Sequence, residues 1–285
     1  MNFLGLLNLL RFGSGWRSEL SASAGNSGSS CDGDTAADLS LRGLFSLFVG
    51  GRALDADALQ TLTEFQIGTA YGLHLQRDMP HATLPCVTLA QDTPARPFLK
   101  ATHALLEDTG RRLWERQSKS LGAFILSYCE SASSAPPSAA ALIAALARAF
   151  PGFNDQGCGV AFHSKAARLV NDLHRRYAAE DARFAFEDID SVSASCDAQL
   201  VAALRRCGAI RVAPGALAAK MEAGGGLAGG SPEESLLRAA AMVAVKRIAA
   251  QAGYRAAVVA HWLAQGGGGG DTEMPEHVCK TTQAY

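Results

Sequence analysis

The chain has 285 residues, of which 48% are hydrophobic and 19% are charged, and its formal net charge at pH 7 is −1. This length allows one large domain or two small ones, and the apolar fraction is sufficient for a sizeable core. The near-zero charge provides no overall attraction to nucleic acid or to an acidic membrane surface. We therefore expect no direct nucleic-acid partner and no association with membranes.

The seven cysteines argue against a disulfide framework and against a structural zinc site. Their number is odd, no pair has CxxC spacing, and the chain is far longer than the mini-domains that disulfides stabilise. No cysteines or histidines have the spacing of a zinc finger. We expect reduced thiols in an intracellular, cytoplasmic protein without a bound metal ion.

Residues 1–10 form an apolar stretch that is too short to span a bilayer. The stretch lacks the basic n-region and the small-residue cleavage site of a targeting signal. We therefore favour a first buried helix over a targeting signal. A weak organellar signal is the alternative that this stretch leaves open.

Helical periodicity dominates the segments that follow. Apolar residues recur at spacings of three, four and seven, and Pro or capping residues bound several of these segments. The predicted helices are Pro97–Leu113, Ser138–Phe150, 163–177, Cys196–Cys207, a helix beginning after Ser231, and 252–265. Alternating stretches are few and none is bounded like a hairpin, so the predicted fold class is all-α.

Small and polar residues interrupt these helices at 20–38, 131–138, 224–230 and 266–270. Such composition is typical of flexible loops. The segments on either side of each interruption have similar composition. The sequence therefore predicts a single domain over 1–285 with flexible insertions.

Common catalytic motifs are absent from the sequence. It contains no nucleophile elbow, Walker loop, GxGxxG or HExxH, and its glycine runs lack the Lys-Ser/Thr of a phosphate loop. Candidate chemistry therefore depends on individual acids and cations. Asp188 and Asp190 are predicted to cap backbone N–H groups, because each lies just before a helix. Asp197 lies in an apolar-periodic stretch, as either an exposed helix position or a half-buried functional carboxylate.

The candidate cations and aromatic residues have two interpretations each. Lys165 and Arg168 could face solvent on their helix or, with nearby carboxylates, belong to a site for a phosphorylated sugar. Arg238 is predicted to pair with Glu234, four residues before it. Phe12 and Trp16 are either core residues or a ligand-stacking pair.

Several blocks then occur in the order and spacing of a known family. They are Arg96–Leu113, Phe150–Asp155, Val160–Leu173, Phe186–Arg211, Glu234–Ile248, the segment around Trp262, and Pro275–Tyr285. Together they resemble the queuosine salvage family, the queuosine 5′-phosphate N-glycosylase/hydrolases. The resemblance is good from about residue 95 to the last residue and loose before it.

The resemblance implies an all-helical fold related to helix-hairpin-helix DNA glycosylases. It also implies hydrolysis of the N-glycosidic bond of queuosine 5′-phosphate, a small-molecule nucleotide, with release of queuine for tRNA modification. No metal or organic cofactor is implied. Asp197 matches the aspartate of the family's F-A-D-Y block, so its implied role is to stabilise the ribosyl cation that forms as the base departs.

The substrate contacts follow from the same matches. Lys165, Arg238 and His277 are the candidates to meet the phosphate or the base, although His277 lies in a tail that would usually be disordered. Phe12 and Trp16 are the stacking candidates. Ser195 and Ala198 occupy positions that are aromatic in the family, and Ser195 is a further candidate contact.

An alternative function stays open on this evidence. A catalytically impaired helical protein of the same fold could bind a nucleotide-like ligand or a protein partner. The sequence leaves the oligomeric state undetermined.

Overall fold

The computed structural model describes residues 1–24, 35–81, 83–84, 86–131, 137–223, 225–266 and 276–280. In these residues thirteen α-helices accompany two small antiparallel sheets of two strands each. The predicted all-α fold class is confirmed. None of the helices in the described ranges is long and apolar enough to cross a membrane.

The helices, in chain order, are α1 (Asn2–Leu9), α2 (Arg17–Ala24), α3 (Ala36–Val49), α4 (Ala56–Thr61), α5 (Glu64–Tyr71), α6 (Arg96–Glu115), α7 (Leu121–Ser131), α8 (Ala139–Ala149), α9 (Ser164–Tyr177), α10 (Ala198–Arg206), α11 (Ala216–Glu222), α12 (Pro232–Ala252) and α13 (Ala256–Ala264). The strands are β1 (Gln76–Pro80), β2 (Thr88–Asp92), β3 (Gln156–Gly157) and β4 (Val160–Ala161). Each predicted helix has a counterpart, with ends shifted by a few residues.

Contacts within the chain divide it into two compact units. The large unit comprises Met1–Gly15 and Gly122–Tyr285, and the small unit comprises Trp16–Leu121. Composition gave no sign of this division, because the loops separate segments of similar character. The prediction that the chain forms a single domain stays a prediction.

The small unit is built on the long helix α6, which packs against α4 and α5. Pro97 lies in its first turn, and the buried side chains of Phe98, Leu105 and Leu113 form its inner face. Pro is tolerated in a first turn because its missing N–H would have no helical partner there. The predicted helix over this segment is confirmed.

A β-hairpin is present, although no alternating stretch of the sequence is bounded like one. β1 pairs with β2 in antiparallel register, from Gln76 opposite Asp92 to Pro80 opposite Thr88. Every residue of both strands is exposed. Hydrophobic alternation requires one buried face, so these strands produce no such pattern in the sequence.

Part of the loop predicted over 20–38 is helical. Its first residues belong to α2, and α3 already begins at Ala36. Thr35 and Asp38 form a capping box, in which each residue's side chain accepts from the other's backbone N–H. Such a box fixes a helix start even where the residues before it are small and polar. Residues 25–34 lie outside the described residues.

The large unit contains two groups of packed helices. α9 packs against α1 and α8, while α10, α12 and α13 pack on one another around a second set of buried side chains. The capping serine predicted for α12 is confirmed, since Ser231 Oγ accepts from the N–H of Glu234. These two groups supply the residues of the candidate site.

The two acids predicted to cap helices have different roles. Asp188 does cap, but at the start of α8, where its carboxylate accepts from the N–H groups of Ala139 and Ala140 at 2.7 and 3.0 Å. Asp190 does not cap a helix. It is exposed and its Oδ1 lies 3.0 Å from Nε of Arg255. Spacing along the chain cannot distinguish these roles, because the start of α8 is remote in sequence from Asp188 and Arg255 is remote from Asp190.

Residues 276–280 are ordered against the large unit, contrary to the expectation of a disordered tail. The carbonyl of Val278 accepts from the N–H of Leu227 at 2.7 Å. A side chain at Gly15 would place its Cβ 2.3 Å from the carbonyl oxygen of Cys279, so the close approach requires glycine there. His277 is consequently buried, and burial together with the charges of Arg238 and Arg205 lowers its pKa to about 4.

Gly43→Ala should destabilise the small unit by about 1–3 kcal/mol, the usual range for overpacking a filled core. The new Cβ would lie 2.1 Å from Cδ2 of Tyr71, where α3 meets α5. Urea unfolding followed by circular dichroism measures the change. Ser46→Ala, on the exposed face of the same helix, should leave the midpoint almost unchanged. A Gly43→Ala protein as stable as wild type would contradict this packing.

His277→Gln should flatten the acid dependence of stability. The unfolded histidine has its ordinary pKa of 6.5, whereas the folded one has a pKa of about 4. Between these values the unfolded chain binds more protons, so the folded state loses stability as the pH falls through this window. Linkage gives a loss of about 2 kcal/mol between about pH 7 and pH 5 for this group.

Urea midpoints at several pH values test this prediction. The slope of unfolding free energy against pH should be smaller in His277→Gln than in wild type over this window. Ser46→Ala, which changes no titratable group and lies on the exposed face of α3, is the control and should keep the wild-type slope. Equal slopes for wild type and His277→Gln would show that His277 is accessible to protons in the folded protein.

Candidate functional site

A cleft of about 490 Å³ opens in the large unit beside Asp197. We call it the Asp197 cleft. Its polar lining consists of Arg11, Arg168, Asn171, Asp172, Arg175, Ser195, Asp197, Arg255 and His261. Its apolar lining consists of Leu4, Leu7, Leu200, Ala257, Val258, Ala260 and Ala264. Its residues come from α1, α9, the start of α10 and α13, which are far apart in sequence.

Asp197 is held at the start of α10 as its N-cap. Its Oδ1 accepts from the N–H of Leu200 at 2.9 Å. Its Oδ2 lies 3.8 Å from Nη1 of Arg168, and a quarter of the side chain is exposed. The helix predicted over Cys196–Cys207 therefore begins at Ala198, one residue after Asp197. Of the two sequence interpretations, the half-buried carboxylate beside a cleft is the one that the geometry matches.

The Asp197 cleft carries more positive than negative charge. Four arginines line it, against the two aspartates Asp172 and Asp197. Arg255 is oriented by its Nη2, which donates to Oδ1 of Asn171 at 2.6 Å. Burial and the charges of Arg168 and Arg175 lower the pKa of His261, which favours its neutral form. Concentrated guanidinium groups of this kind suit an anionic ligand such as a phosphate.

Sequence reasoning did not identify most of these arginines. The sequence leaves Arg168 open between a solvated helix face and a site for a phosphorylated sugar, and nothing in it singles out Arg175. The signal was nevertheless present on α9, because residues 168, 171, 172 and 175 are spaced by three and four and therefore lie on one face. A polar face opposite an apolar stripe is ordinary for a surface helix, so this pattern alone would not have indicated a site.

Lys165 is buried, so its interpretation as a solvated residue is wrong. Its Nζ donates to the carbonyl of Leu9 at 2.6 Å and lies 5.0 Å from the centre of the Phe12 ring. Burial lowers the pKa of this lysine to about 7, although the charge of Asp155 acts in the opposite direction. Lys165 and Phe12 thus form a buried pair that joins α9 to the end of α1.

Arg238 lies at the centre of a buried ionic network. Its Nη1 donates to Oδ1 of Asp155 at 2.8 Å and lies 3.4 Å from Oε1 of Glu234, and its Nη2 donates to Oδ2 of Asp155. All three side chains are almost fully buried. The predicted pairing of Arg238 with Glu234 is confirmed. The pairing with Asp155 was missed, because 83 residues separate the two along the chain.

The remaining candidates occupy several places. Ser195 lines the Asp197 cleft beside Asp197. His277 is buried in the ordered tail segment, and Lys165, Phe12 and Arg238 are in the buried clusters just described. Trp16 belongs to the small unit, where its ring lies 6.2 Å from that of Phe98. Across the described ranges, no group of three or more His, Cys, Asp and Glu side chains is arranged to hold a metal ion.

Comparison with known proteins agrees with the resemblance seen in the sequence. A family model described as queuosine salvage protein matches residues 77–260, well over half of the chain. A queuosine 5′-phosphate N-glycosylase/hydrolase of Sphaerobacter thermophilus is 31% identical over 156 residues, which are 53% of this chain and 46% of that protein. The chain therefore spans about half the length of this curated relative. The family match includes Asp197, Arg168 and the network around Arg238, and it shows that the chain belongs to the queuosine salvage protein family.

Proposed function

We propose that this protein hydrolyses the N-glycosidic bond of queuosine 5′-phosphate and releases queuine. The observation that carries the proposal is a carboxylate, Asp197, fixed by a helix cap at the wall of an arginine-rich cleft. Membership of the family supports the reaction type, and the relative from Sphaerobacter thermophilus is named for this reaction.

Asp197 would act on the charge that develops during bond cleavage. As the C–N bond breaks, its electron pair leaves with the base, which takes up a proton, and the ribose becomes an oxocarbenium-like cation. Water then attacks the anomeric carbon and loses a proton. A carboxylate already held in place stabilises this cation without reorganising during the reaction. The bond from the N–H of Leu200 provides that preorganisation.

The phosphate is assigned to the arginines of the Asp197 cleft. Lys165, Arg238 and His277 were predicted from the resemblance to meet the substrate, but all three are buried and engaged within the fold. Arg11, Arg168 and Arg175 line the cleft itself. Guanidinium groups bind phosphate through paired, charge-assisted hydrogen bonds, so they suit this role.

The base would lie against the aliphatic part of the cleft wall. Leu4, Leu7, Leu200 and Val258 supply this surface. Ser195 contributes a hydroxyl at a position that is aromatic in the family. An aliphatic wall accepts a planar heterocycle by burial of apolar area rather than by ring stacking.

Asp197→Asn should lower the rate of queuine release by about 10²–10³-fold, the usual loss when one preorganised electrostatic group is removed. Asparagine is also a good N-cap, so the start of α10 should be retained. Queuine released from queuosine 5′-phosphate is measured by liquid chromatography. Asp55→Asn is the matched control, because Asp55 caps α4 in the small unit in the same way.

The outcomes of this assay separate the hypotheses. No release by the wild-type protein would overturn the proposed function and favour the binding-protein alternative. Equal release by wild type and Asp197→Asn would overturn the role given to Asp197 alone.

Arg175→Met should weaken the use of the phosphorylated substrate specifically. Loss of one charge-assisted contact at an exposed position should reduce kcat/KM for queuosine 5′-phosphate by about tenfold or less. The rate measured with unphosphorylated queuosine, which lacks the group that Arg175 would contact, should be the same as in wild type. Arg176→Met is the matched control, since Arg176 is the next residue on α9, is also exposed, and pairs with Glu180 outside the cleft. Equal losses on both substrates would contradict a phosphate contact.

A further inference from the structure

Behind Asp197, a single serine hydroxyl joins three segments of the large unit. Ser164 is the first residue of α9 and is 1% exposed. Its Oγ accepts from Nη2 of Arg238 at 2.9 Å. The same Oγ lies 3.3 Å from both the N and the O of Cys196. Cys196, which precedes Asp197, is thus hydrogen-bonded to Ser164 at the start of α9. Ser164 in turn links it to Arg238 of α12.

The hydroxyl of Ser164 has no bonding capacity left. A serine hydroxyl supplies one donor and two acceptor lone pairs. Here it donates to the carbonyl of Cys196 and accepts from the Arg238 guanidinium and from the N–H of Cys196. The backbone N–H of Ser164 in turn donates to Oδ2 of Asp155 at 3.3 Å. Alanine at this position would leave three buried polar groups without this partner.

These bonds determine the orientation of the peptide that leads into Asp197. The carbonyl of Cys196 and the N of Asp197 belong to one planar peptide unit. Holding that carbonyl therefore holds the plane from which the Asp197 side chain projects. The bond from Leu200 then restrains the carboxylate from the other side. The segment from Cys196 to Leu200 is therefore restrained at both ends, and the Asp197 carboxylate lies between them.

The orientation of Ser164 is itself maintained by charge. Arg238 is held by the carboxylates of Asp155 and Glu234, and its guanidinium lies 4.2 Å from the centre of the Phe162 ring. Buried charges in such a network have little freedom, since breaking one pair leaves the other charge uncompensated. Arg238 therefore presents Nη2 to Ser164 in one fixed direction.

We infer that Ser164, held by Arg238 and Asp155, is a positioning residue that sets the Asp197 carboxylate for catalysis. This inference rests on the proposed function. It assigns the buried network a role in the reaction that does not require contact with the substrate. The same helix also supplies Arg168, one turn after Ser164, whose guanidinium faces Asp197.

Kinetics of five proteins test the inference: wild type, Ser164→Ala, Asp197→Asn, the double variant of these two, and Ser164→Thr. Ser164→Ala should lower kcat by about tenfold or more with little change in KM, because small displacements of a catalytic group are costly. In the Asp197→Asn background the same change should cost almost nothing, since its effect passes through that carboxylate. Ser164→Thr, which keeps the hydroxyl, should restore most of the rate.

A control variant separates positioning from general destabilisation. Ser138→Ala removes a serine hydroxyl that caps α8 and should lower stability without changing kcat at temperatures well below unfolding. Full additivity of Ser164→Ala and Asp197→Asn would overturn the inference. Failure of the wild-type protein to release queuine would instead overturn the proposed function.

Amide hydrogen exchange tests the positioning without requiring turnover. The N–H of Leu200 donates to Asp197, so it should exchange about tenfold faster or more in Ser164→Ala if the carboxylate loses its fixed position. The N–H of Ala58, capped by Asp55 in the small unit, should exchange at the wild-type rate. Unchanged exchange at Leu200 would overturn the inference even in a protein without activity.

Discussion

The buried pairing of Arg238 with Asp155 is the interaction on which the rest of the site depends. Two charged side chains removed from water are costly unless each is paired and hydrogen-bonded. Glu234 and Ser164 are further partners of the guanidinium, and they belong to α12 and α9. Satisfying one guanidinium therefore brings together segments from three parts of the chain.

The Asp197 cleft lies on the outer side of this arrangement. The bonds from Ser164 to Cys196 orient the backbone, and the cap to Leu200 orients the side chain. Arg168 and Arg175 then add positive charge on the face of α9 that lines the cleft. In the proposed reaction the carboxylate and the guanidinium groups have different tasks, the first at a developing cation and the second at a phosphate.

Most helices could be predicted from the sequence, because their signals are local. Ser138 before α8 and Ser231 before α12 are N-caps that interact with residues only three positions away. The hairpin of β1 and β2 could not be predicted, since neither strand has a buried face. Lys165 was misassigned for a related reason: its partner, the carbonyl of Leu9, is 156 residues away.

The sequence by itself determined the helical class and the family, and the resemblance to that family is what favours Asp197 among the acids. The helical class depends on spacing within a few turns, and the family depends on the order of motifs along the chain. The tertiary structure alone decided which cations line the cleft and which are buried, as Arg175 and Arg238 illustrate. It also joined Asp155 and Ser164 to the segment before Asp197. The reason is physical: burial and charge compensation depend on neighbours in space, and those neighbours are supplied by distant parts of the chain.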